Sequence, residues 1–359
     1  MAQTDRVRQG RQAGRARLRD VPQRPLHADP HPRIAEGKAP TTILAADLGG
    51  TRIKLGIVRD AAVLARETFA AESQDGLARQ LPKIAAAFAT LCDRASVDMA
   101  ECTAVGFCYP GLTDPGCRRV VAAYGKYTDA PTLDLVAWGR EYLALPVWVE
   151  NDARVALLGE WQFGAGRGCD DLVMVTLGTG IGAVAMIEGR LRRGRHGQAG
   201  VLGGHFTVRL GGRRCRCGNI GCAETEASNA YLPAIAREWP GFAESRLAAE
   251  PVIDYATVFR LAGEGEACAV AIRTHSVQVW GAVIVNLIHA FDPVRVIVGG
   301  GVMASADTIL PALRDYVSRH AHTPWGTVEV VASALGDDFA LFGCEVLLRE
   351  RMQPTGVSR

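Results

Sequence analysis

The sequence predicts an internally duplicated α/β protein, and three observations support this prediction. Its 359 residues are two to three times the usual domain size, so two domains are expected. Apolar residues make up 48% and charged residues 22%, which is ordinary for a globular protein and excludes collagen-like, disulfide-knot and largely disordered classes. A strand, a glycine turn and a second strand at residues 43–58 are repeated at residues 172–187.

The glycine turns of the two repeats expose backbone N–H groups to phosphate oxygens, because no side chain blocks their approach. The turns are Asp47-Leu48-Gly49-Gly50-Thr51 and Leu177-Gly178-Thr179-Gly180, and a third, Gly299-Gly300-Gly301, follows an apolar strand at residues 295–298. An isolated turn of this kind is usually an ordinary hairpin. Three of them at strand ends favour a nucleotide site, with Asp47 holding Mg²⁺ through water and Thr51 and Thr179 donating to phosphate.

The remaining elements follow from apolar spacing. It predicts a helix over residues 77–91, which Pro82 disturbs near its start. It also predicts strands at residues 103–108 and 145–149 and helices at residues 267–290 and 306–318. We therefore expect a small domain at residues 41–150, completed by a C-terminal helix near residues 338–352, and a large domain at residues 151–337.

Residues 1–40 are rich in Arg, Pro, Gln and Gly and have few large apolar side chains, so we expect a disordered tail. They hold eight Arg and one Lys against four acids, a charge of +5, which leaves −3 of the net +2 for residues 41–359. A transit peptide or a nucleic-acid-binding arm is the alternative, although Asp5 and Asp20 are unusual in a transit peptide. Because the rest of the chain is not basic, we expect no nucleic-acid partner.

Cysteine usage and hydropathy indicate the compartment. Ten cysteines are too few for a secreted disulfide scaffold of this length, and no apolar segment typical of a secretory signal follows the start. The longest apolar stretch, residues 277–291, contains Gln278, Asn286 and His289 and is too short to cross a bilayer. We therefore expect a cytoplasmic protein with reduced thiols and no membrane partner.

Three of the cysteines are clustered. His205, Cys215, Cys217 and Cys222 have the residue types and spacing of a tetrahedral zinc site, and Gly218 and Gly221 allow sharp turns between the ligands. The alternative is three buried thiols near an unrelated histidine. A zinc ion with four protein ligands has no open position, so the predicted role of Zn²⁺ is structural.

Asn151-Asp152 lies where a predicted strand passes into a helix that begins near Ala153. Asn and Asp are favoured helix caps, so an ordinary N-cap is one interpretation. The other is that Asp152 accepts a proton from a substrate hydroxyl as that hydroxyl attacks a phosphoryl group.

These motifs, in this order, resemble the ROK (repressor, open reading frame, kinase) family over about residues 42–350. The resemblance rests on Asp47-Leu48-Gly49-Gly50-Thr51-Arg52-Ile53-Lys54, Pro110-Gly111, Glu150-Asn151-Asp152-Ala153 and Leu177-Gly178-Thr179-Gly180-Ile181-Gly182. The segment from Cys215 to Glu224 resembles the zinc signature of that family, and Gly299-Gly300-Gly301 resembles its adenosine-side glycines.

The resemblance implies an actin-like, ribonuclease H-like fold of two α/β domains around a cleft, with ATP-dependent phosphorylation of a sugar. By position, Asp152 is the general base, and Asn151, His205 and Glu224 are sugar ligands. His205 would use one ring nitrogen for zinc and the other for the sugar. The implied ATP-binding residues are Asp47, Gly49, Gly50, Thr51, Lys54, Gly178, Thr179, Gly180, Gly299, Gly300 and Gly301. We also expect a homo-oligomer, either a dimer or a tetramer.

Two departures from the family pattern concern the sugar. Kinases of the family usually have Glu-x-Gly-His, whereas this chain has Val201-Leu202-Gly203-Gly204-His205, and no acid but eight Arg occur between Glu188 and Glu224. The stretch from Tyr124 to Tyr127 lacks an asparagine that many relatives place there. We expect a neutral hexose bound loosely. An apolar Val201 or Leu202 in the pocket would favour an N-acyl sugar, and Arg195 or Arg209 an anionic one.

The predicted function is a glucokinase-like transfer of the γ-phosphate of ATP to a hexose hydroxyl, at the 6-position. An N-acetylhexosamine kinase is the nearest alternative. A catalytically weak sugar sensor is another, since the usual glutamate is missing. A repressor of the same family would need a helix-turn-helix, for which residues 1–40 lack helical periodicity.

Overall fold

The computed structural model describes residues 41–352, and the tail predicted at residues 1–40 lies outside them. Within residues 41–352, the strands are β1 Thr42–Leu48, β2 Arg52–Arg59, β3 Ala62–Ala70, β4 Cys102–Tyr109, β5 Gly111–Thr113, β6 Val120–Ala123, β7 Val147–Asn151, β8 Leu172–Leu177, β9 Ile181–Ile187, β10 Arg190–Leu191, β11 Arg295–Gly299 and β12 Glu329–Ala332. The helices are α1 Leu81–Ala95, α2 Leu135–Tyr142, α3 Asp152–Phe163, α4 Ala223–Ala227, α5 Leu232–Arg237, α6 Tyr255–Gly263, α7 Ala267–Phe291, α8 Ala306–His320 and α9 Phe339–Met352.

Two five-stranded sheets have the same internal order, β3-β2-β1-β4-β7 and β10-β9-β8-β11-β12. In each sheet the central strand, β1 or β8, forms an antiparallel hairpin with the next strand and runs parallel to a later one. The predicted duplication is therefore confirmed at the level of strand order. Because β1 and β8 end in equivalent positions, their glycine turns occupy equivalent edges of the two sheets.

Helices α3 and α9 connect the two halves. Helix α9 packs against α3 and against β1 and β4 of the first sheet, and α3 also contacts β8 and β9 of the second sheet. The thiol of Cys344 on α9 lies 3.5 Å from the carbonyl oxygen of Gly106 on β4. A C-terminal helix thus returns to the first sheet. The domain limits of 41–150 and 151–337 stay a prediction.

Helix α7 forms the core of the second half. It has 25 residues, so it is longer than the apolar stretch at residues 277–291, and its length and composition alone would suit a membrane span. However, 56% of its most apolar window is buried inside the protein. Trp280 is fully buried and donates to the carbonyl oxygen of Ala227 at 2.8 Å, and Ser276 bonds the hydroxyl of Tyr255. These contacts explain its apolar surface by packing within the protein.

Several elements differ from the sequence prediction for identifiable reasons. Strand β3 was not predicted because it is an edge strand on which no residue is fully buried, so it lacks the expected apolar signal. Helix α1 starts at Leu81 rather than Leu77, with Pro82 in its first turn, where proline is tolerated. Leu77 is buried outside the helix and donates its backbone N–H to Asp129.

Candidate active site

The turn between β1 and β2 is held by side chains from elsewhere in the first half. The hydroxyl of Ser73 donates to the carbonyl oxygen of Gly50 at 2.7 Å, and the hydroxyl of Tyr127 donates to that of Gly49 at 2.8 Å. The hydroxyl-bearing Thr51 is exposed. Fixing two successive carbonyls orients the peptide units of the turn, which is what preorganised phosphate binding requires.

Asp47 and Asp152 bring two carboxylates to one place from different strands. Asp47 lies near the end of β1, and Asp152 is the first residue of α3, directly after β7. Burial raises the pKa of Asp47 to about 6, and the charge of Asp152 adds to this shift. Burial also raises the pKa of Asp152, against opposing hydrogen bonds and the charge of Lys126. Two coupled carboxylates with raised pKa values are typical of a functional site.

Asn151 caps helix α3 and holds Asp152. Its side-chain oxygen accepts from the backbone N–H groups of Ala153 and Arg154 at 3.1 and 3.3 Å. Its amide nitrogen donates to the carbonyl oxygen of Gly111 at 3.1 Å and to Oδ1 of Asp152 at 3.0 Å. The N-cap interpretation is therefore correct for Asn151, and the role of Asp152 as a base stays a prediction. The predicted sugar contact of Asn151 stays a prediction.

Glu150, which directly precedes Asn151-Asp152 in the sequence, anchors this segment. It is fully buried, and its two oxygens lie 3.3 Å from Arg154 Nη1 and 2.6 Å from Arg193 Nε. Thr113 and Cys117 also donate to it. Burial alone would raise the pKa of Glu150, but the charges of Arg193 and Arg154 outweigh it and lower the pKa to about 2. Arg193, one of the eight arginines of the 188–224 interval, is therefore structural.

The second glycine hairpin lies beside the two other predicted sugar ligands. The backbone N–H of Ile181 donates to Oε2 of Glu224 at 3.3 Å. His205 ends a short 3₁₀ turn, Gly203–His205, that packs on β9. A Cβ atom added to Gly182 on the same hairpin would lie 3.5 Å from Cβ of Ala153, next to Asp152. The fold therefore places Glu224, His205 and the start of α3 around one hairpin.

The third glycine segment is adjacent to the second. Gly300 has φ of 93°, a conformation that favours glycine, and it lies against the backbone of Leu177. Gly299 is the last residue of β11, which runs parallel to β8. Thr179 is exposed in the neighbouring turn. The predicted nucleotide glycines of the second sheet, Gly178, Gly180, Gly299, Gly300 and Gly301, are thus collected at one edge.

His205, Cys215, Cys217 and Cys222 form a single cluster with all four ligand atoms within 4.8 Å of one another. His205 Nδ1 lies 3.5 Å from Cys215 Sγ, and the sulfurs of Cys217 and Cys222 are 3.7 Å apart. Tetrahedral zinc with Zn–S of about 2.3 Å and Zn–N of about 2.05 Å needs S···N near 3.5 Å and S···S near 3.8 Å. The donor set therefore fits Zn²⁺, and His205 keeps Nε2 for another partner.

Two lysines have positions that the sequence did not predict. Lys54, an expected phosphate ligand, donates from its ammonium to the carbonyl oxygen of Asp337 and lies 4.0 Å from Asp338. Lys126 instead lies over the Gly49-Gly50 turn: a Cβ atom added to Gly50 would be 2.8 Å from its Nζ. The sequence signal for Lys126 was only that residues 124–127 depart from the family pattern.

The region of the missing glutamate is apolar. Val201 is 9% exposed and Leu202 is half-buried, while Arg195 is exposed. Arg209 pairs with the buried Glu226 at 3.3 Å. Arg209 thus has a structural partner outside the predicted pocket.

Comparisons with known proteins identify the relatives of this chain. The family model described as the ROK family matches residues 43–351. A glucokinase of Thermotoga maritima is 33% identical over 319 residues, covering 86% of this chain and 98% of the relative. A xylose repressor of Bacillus subtilis is 29% identical over 240 residues, covering 67% of this chain and 59% of the repressor.

Among solved structures, a ROK family glucokinase from Streptomyces griseus in complex with glucose and AMPPNP has a TM-score of 0.69 and 30% identity. The match covers 86% of this chain and 99% of that chain. The overall fold of this chain therefore has a counterpart among solved structures. The chain belongs to the ROK family and has its two-domain, actin-like α/β fold.

Proposed function

We propose that this protein is an ATP-dependent hexose kinase that transfers the γ-phosphate of ATP to a hexose hydroxyl, the 6-hydroxyl in a glucokinase-like reaction. The observation that carries the proposal is the position of Asp152. Its carboxylate lies beside Asp47 of one glycine hairpin, and its helix starts against the other hairpin, where the backbone N–H of Ile181 donates to Glu224. A base is thus held between a phosphate turn and a sugar site.

The residues act in a simple sequence. Asp152 accepts the hydroxyl proton as the sugar oxygen attacks the γ-phosphorus, and the bond from that phosphorus to the bridging oxygen of ADP breaks. Because the transition state is loose, Asp152 mainly orients the hydroxyl and takes its proton late. Asn151 keeps the carboxylate in place through its 3.0 Å hydrogen bond. Asp47 would hold Mg²⁺ through water, and the ion would neutralise phosphate charge when bound.

The phosphates of ATP would be bound by backbone N–H groups of the glycine turns, Gly49 with Gly50 and Gly178 with Gly180, and by the exposed hydroxyls of Thr51 and Thr179. Gly299, Gly300 and Gly301 would face the adenosine. Lys54 would contribute charge rather than direct contact, since its ammonium is bonded to Asp337.

The sugar site would consist of Asn151, His205 and Glu224. We propose that Zn²⁺ is bound by His205 Nδ1 and the three cysteine sulfurs, which orients His205 so that Nε2 meets a sugar hydroxyl. The fit of the 3.5 and 3.7 Å ligand separations to a tetrahedron supports this assignment. The ion would act structurally, by ordering the loop that carries His205 and Glu224.

We propose a neutral hexose, glucose, as the substrate. Arg209 is paired with Glu226 and Arg195 is exposed, so neither supports an anionic sugar. The apolar Val201 keeps an N-acyl sugar as the alternative. A lost charge-assisted hydrogen bond should weaken glucose binding by roughly 10- to 150-fold relative to a kinase that keeps the glutamate. Calorimetry with glucose and N-acetylmannosamine, in the presence of a non-hydrolysable ATP analogue, distinguishes the two; sub-millimolar glucose binding would contradict the weakened site.

We further propose a cytoplasmic homo-oligomer without a nucleic-acid partner. The free thiols of residues 41–352 support the cytoplasmic assignment, and the charge of −3 outside the tail supports the absence of a nucleic-acid partner. Light scattering tests the oligomeric state, and a gel shift with DNA tests for a nucleic-acid partner. Binding to DNA at physiological salt would favour a regulator of the same family.

The kinase function itself is tested with purified protein, Mg·ATP and a panel of sugars. The panel contains glucose, mannose, xylose, N-acetylglucosamine and N-acetylmannosamine, and both ADP release and the mass of the sugar product are followed. We expect ADP release that requires a hexose, with a matching hexose phosphate. ATP hydrolysis independent of sugar, or no product with any sugar, would contradict the proposal.

A further inference from the structure

The side chain of Lys126 lies against the Gly49-Gly50 turn, and this residue has none of the catalytic or binding roles proposed above. It is partly buried, and a Cβ atom added to Gly50 would lie 2.8 Å from its Nζ and 2.9 Å from its Cδ. The side chain can cross the turn only because residue 50 is glycine. Its ammonium therefore lies against the backbone that is expected to receive the phosphates.

The segment that carries Lys126 is fixed to the same turn. The backbone N–H of Tyr127 donates to the carbonyl oxygen of Ser73 at 2.8 Å, while the Ser73 hydroxyl bonds Gly50. The Tyr127 hydroxyl bonds Gly49, and Gln74 Nε2 donates to the carbonyl oxygen of Gly125 at 2.9 Å. Tyr127 adopts a positive φ of 48° to make these contacts. Lys126 is therefore held from both sides, unlike a lysine on a mobile loop.

The ammonium of Lys126 has no ion-pair partner within 4.0 Å among residues 41–352, although it is close enough to Asp47 and Asp152 to act on both. Its charge lowers the pKa of each carboxyl against the larger opposing effect of burial. Two other cations of the site region, Lys54 and Arg193, differ in this respect. Lys54 is bonded to Asp337, and Arg193 to Glu150. The ammonium of Lys126 can therefore donate to the oxygens of a bound phosphate.

We propose that Lys126 is a catalytic residue whose ammonium contacts the phosphoryl group during its transfer from ATP to the sugar; this inference rests on the proposed kinase function. The bond from sugar oxygen to γ-phosphorus forms while the bond to the bridging oxygen of ADP breaks, and the hydroxyl proton goes to Asp152. Lys126 neither gains nor loses a proton. It stabilises the negative charge of the phosphoryl oxygens as they pass between Gly50 and Asp152.

The alternative is that Lys126 binds the sugar. A sugar ligand acts in the ground state, so its loss should raise KM for the sugar with little effect on kcat. A phosphoryl ligand acts mainly in the transition state, so its loss should lower kcat. The two roles are therefore distinguishable by steady-state kinetics.

The test compares wild type with Lys126→Gln, Lys126→Arg and the matched control Lys83→Gln. Lys83 is an exposed lysine of α1 that pairs with Glu72 at 2.7 Å. We expect Lys126→Gln to lower kcat by about 10²–10³-fold, as for loss of one donor to a developing charge, with sugar KM changed less than about threefold. Lys126→Arg should recover part of the loss, because it restores the charge. Lys83→Gln should behave as wild type.

A binding measurement supplies a readout besides turnover. With sugar present, Mg·ADP should bind wild type more tightly when aluminium fluoride is added, since the complex mimics the transferring phosphoryl group. Lys126→Gln should lose roughly 10- to 150-fold of that tightening while binding Mg·ADP alone as wild type does.

The outcomes separate the two proposals. Unchanged kcat in Lys126→Gln, or a rise confined to sugar KM, would overturn the role of Lys126 and leave the kinase function standing. Absence of hexose phosphorylation by wild type would overturn the kinase function and this role with it. Equal loss of Mg·ADP binding with and without aluminium fluoride would also overturn the role, because it would indicate damage to the turn.

Discussion

The amide nitrogen of Asn151 donates to Oδ1 of Asp152 at 3.0 Å, while the oxygen of the same amide caps helix α3. One side chain thus ends a strand, starts a helix and orients the carboxylate proposed as the base. The two interpretations of this motif, helix cap and catalytic site, are therefore compatible. The cap fixes the backbone from which the carboxylate projects.

Asn151→Ser separates these two tasks. Serine keeps a capping oxygen but lacks the amide nitrogen that donates to Asp152, so stability should fall by no more than about 1 kcal/mol. We expect kcat to fall by about tenfold, because the carboxylate loses an orienting hydrogen bond. Thermal unfolding and steady-state kinetics on the same preparation check both parts. Full activity would show that the 3.0 Å bond is dispensable.

Asp47→Asn should stabilise the ligand-free protein at neutral pH. The pKa of Asp47 is raised to about 6 by burial, so the folded state favours its protonated form, and this favourable contribution is complete below about pH 4 and is lost as pH rises through 6. Removing the ionisable group should therefore add up to about 3 kcal/mol at pH 8 and almost nothing at pH 3.5. Urea unfolding at the two pH values measures this difference. An equal effect at both would contradict the raised pKa.

Glu150→Gln should be strongly destabilising. It leaves the buried Arg154 and the largely buried Arg193 without their carboxylate, a change that typically costs about 3–5 kcal/mol. The control is Glu329→Gln, which breaks a 2.6 Å pair with Arg295 at an exposed site and should cost less than about 1 kcal/mol. Chemical denaturation of both variants gives the comparison.

Because Arg154 and Arg193 lower the pKa of Glu150, the stability of the protein should depend on pH in the acid range. Since the pKa of Glu150 is lowered to about 2, its contribution is present above the ordinary glutamate range and is lost as pH falls toward 2. Wild type should therefore lose stability below about pH 4.5 more steeply than Glu150→Gln does. Parallel acid titrations with identical slopes would contradict this account of Glu150.

The zinc proposal predicts one equivalent of Zn²⁺ per chain in protein purified without chelator. Cys217→Ser should lower the content well below half an equivalent, whereas Cys268→Ser, at a buried thiol of α7 outside the cluster, should not. Chelation should weaken sugar binding before ATP binding, because the cluster supports His205 and Glu224. Elemental analysis with calorimetry for each ligand tests this; full zinc content in Cys217→Ser would remove that residue from the site.

The parts of the fold that sequence predicted are those with a local signal. The hairpins around Gly49 and Gly178 and the long helix α7 have strong apolar patterns, and their ends agree to within a few residues. Strand β3 alternates partly buried and exposed residues at a sheet edge and resembles a loop in sequence. The parallel pairing of β1 with β4 joins segments some sixty residues apart, so duplication of the whole sheet order was visible only in the structure.

Within the candidate site, too, residues with a local sequence signal were predicted and residues placed by long-range contacts were not. The Cys/His cluster and Asn151-Asp152 were predicted because their residue types and spacing are specific. Lys126 was not, since nothing in Tyr124-Gly125-Lys126-Tyr127 indicates that the side chain crosses Gly50, which depends on hydrogen bonds from Ser73 and Tyr127. Conversely, Lys54 matched the family motif, yet its ammonium bonds Asp337 near the far end of the chain. Long-range contacts of single side chains have no sequence signal of their own.

The most direct test of the central claim is phosphorus NMR of the reaction of Mg·ATP with glucose, catalysed by wild type and by Asp152→Asn. Wild type should convert the γ-phosphate signal into a glucose phosphate with one ADP formed per sugar. Asp152→Asn should keep its fold and its affinity for ATP while the rate falls by about 10²–10⁴-fold, as for loss of a positioned base. If Asp152→Asn retains more than half of the wild-type rate, Asp152 is only part of a helix start, and the base proposed here is wrong.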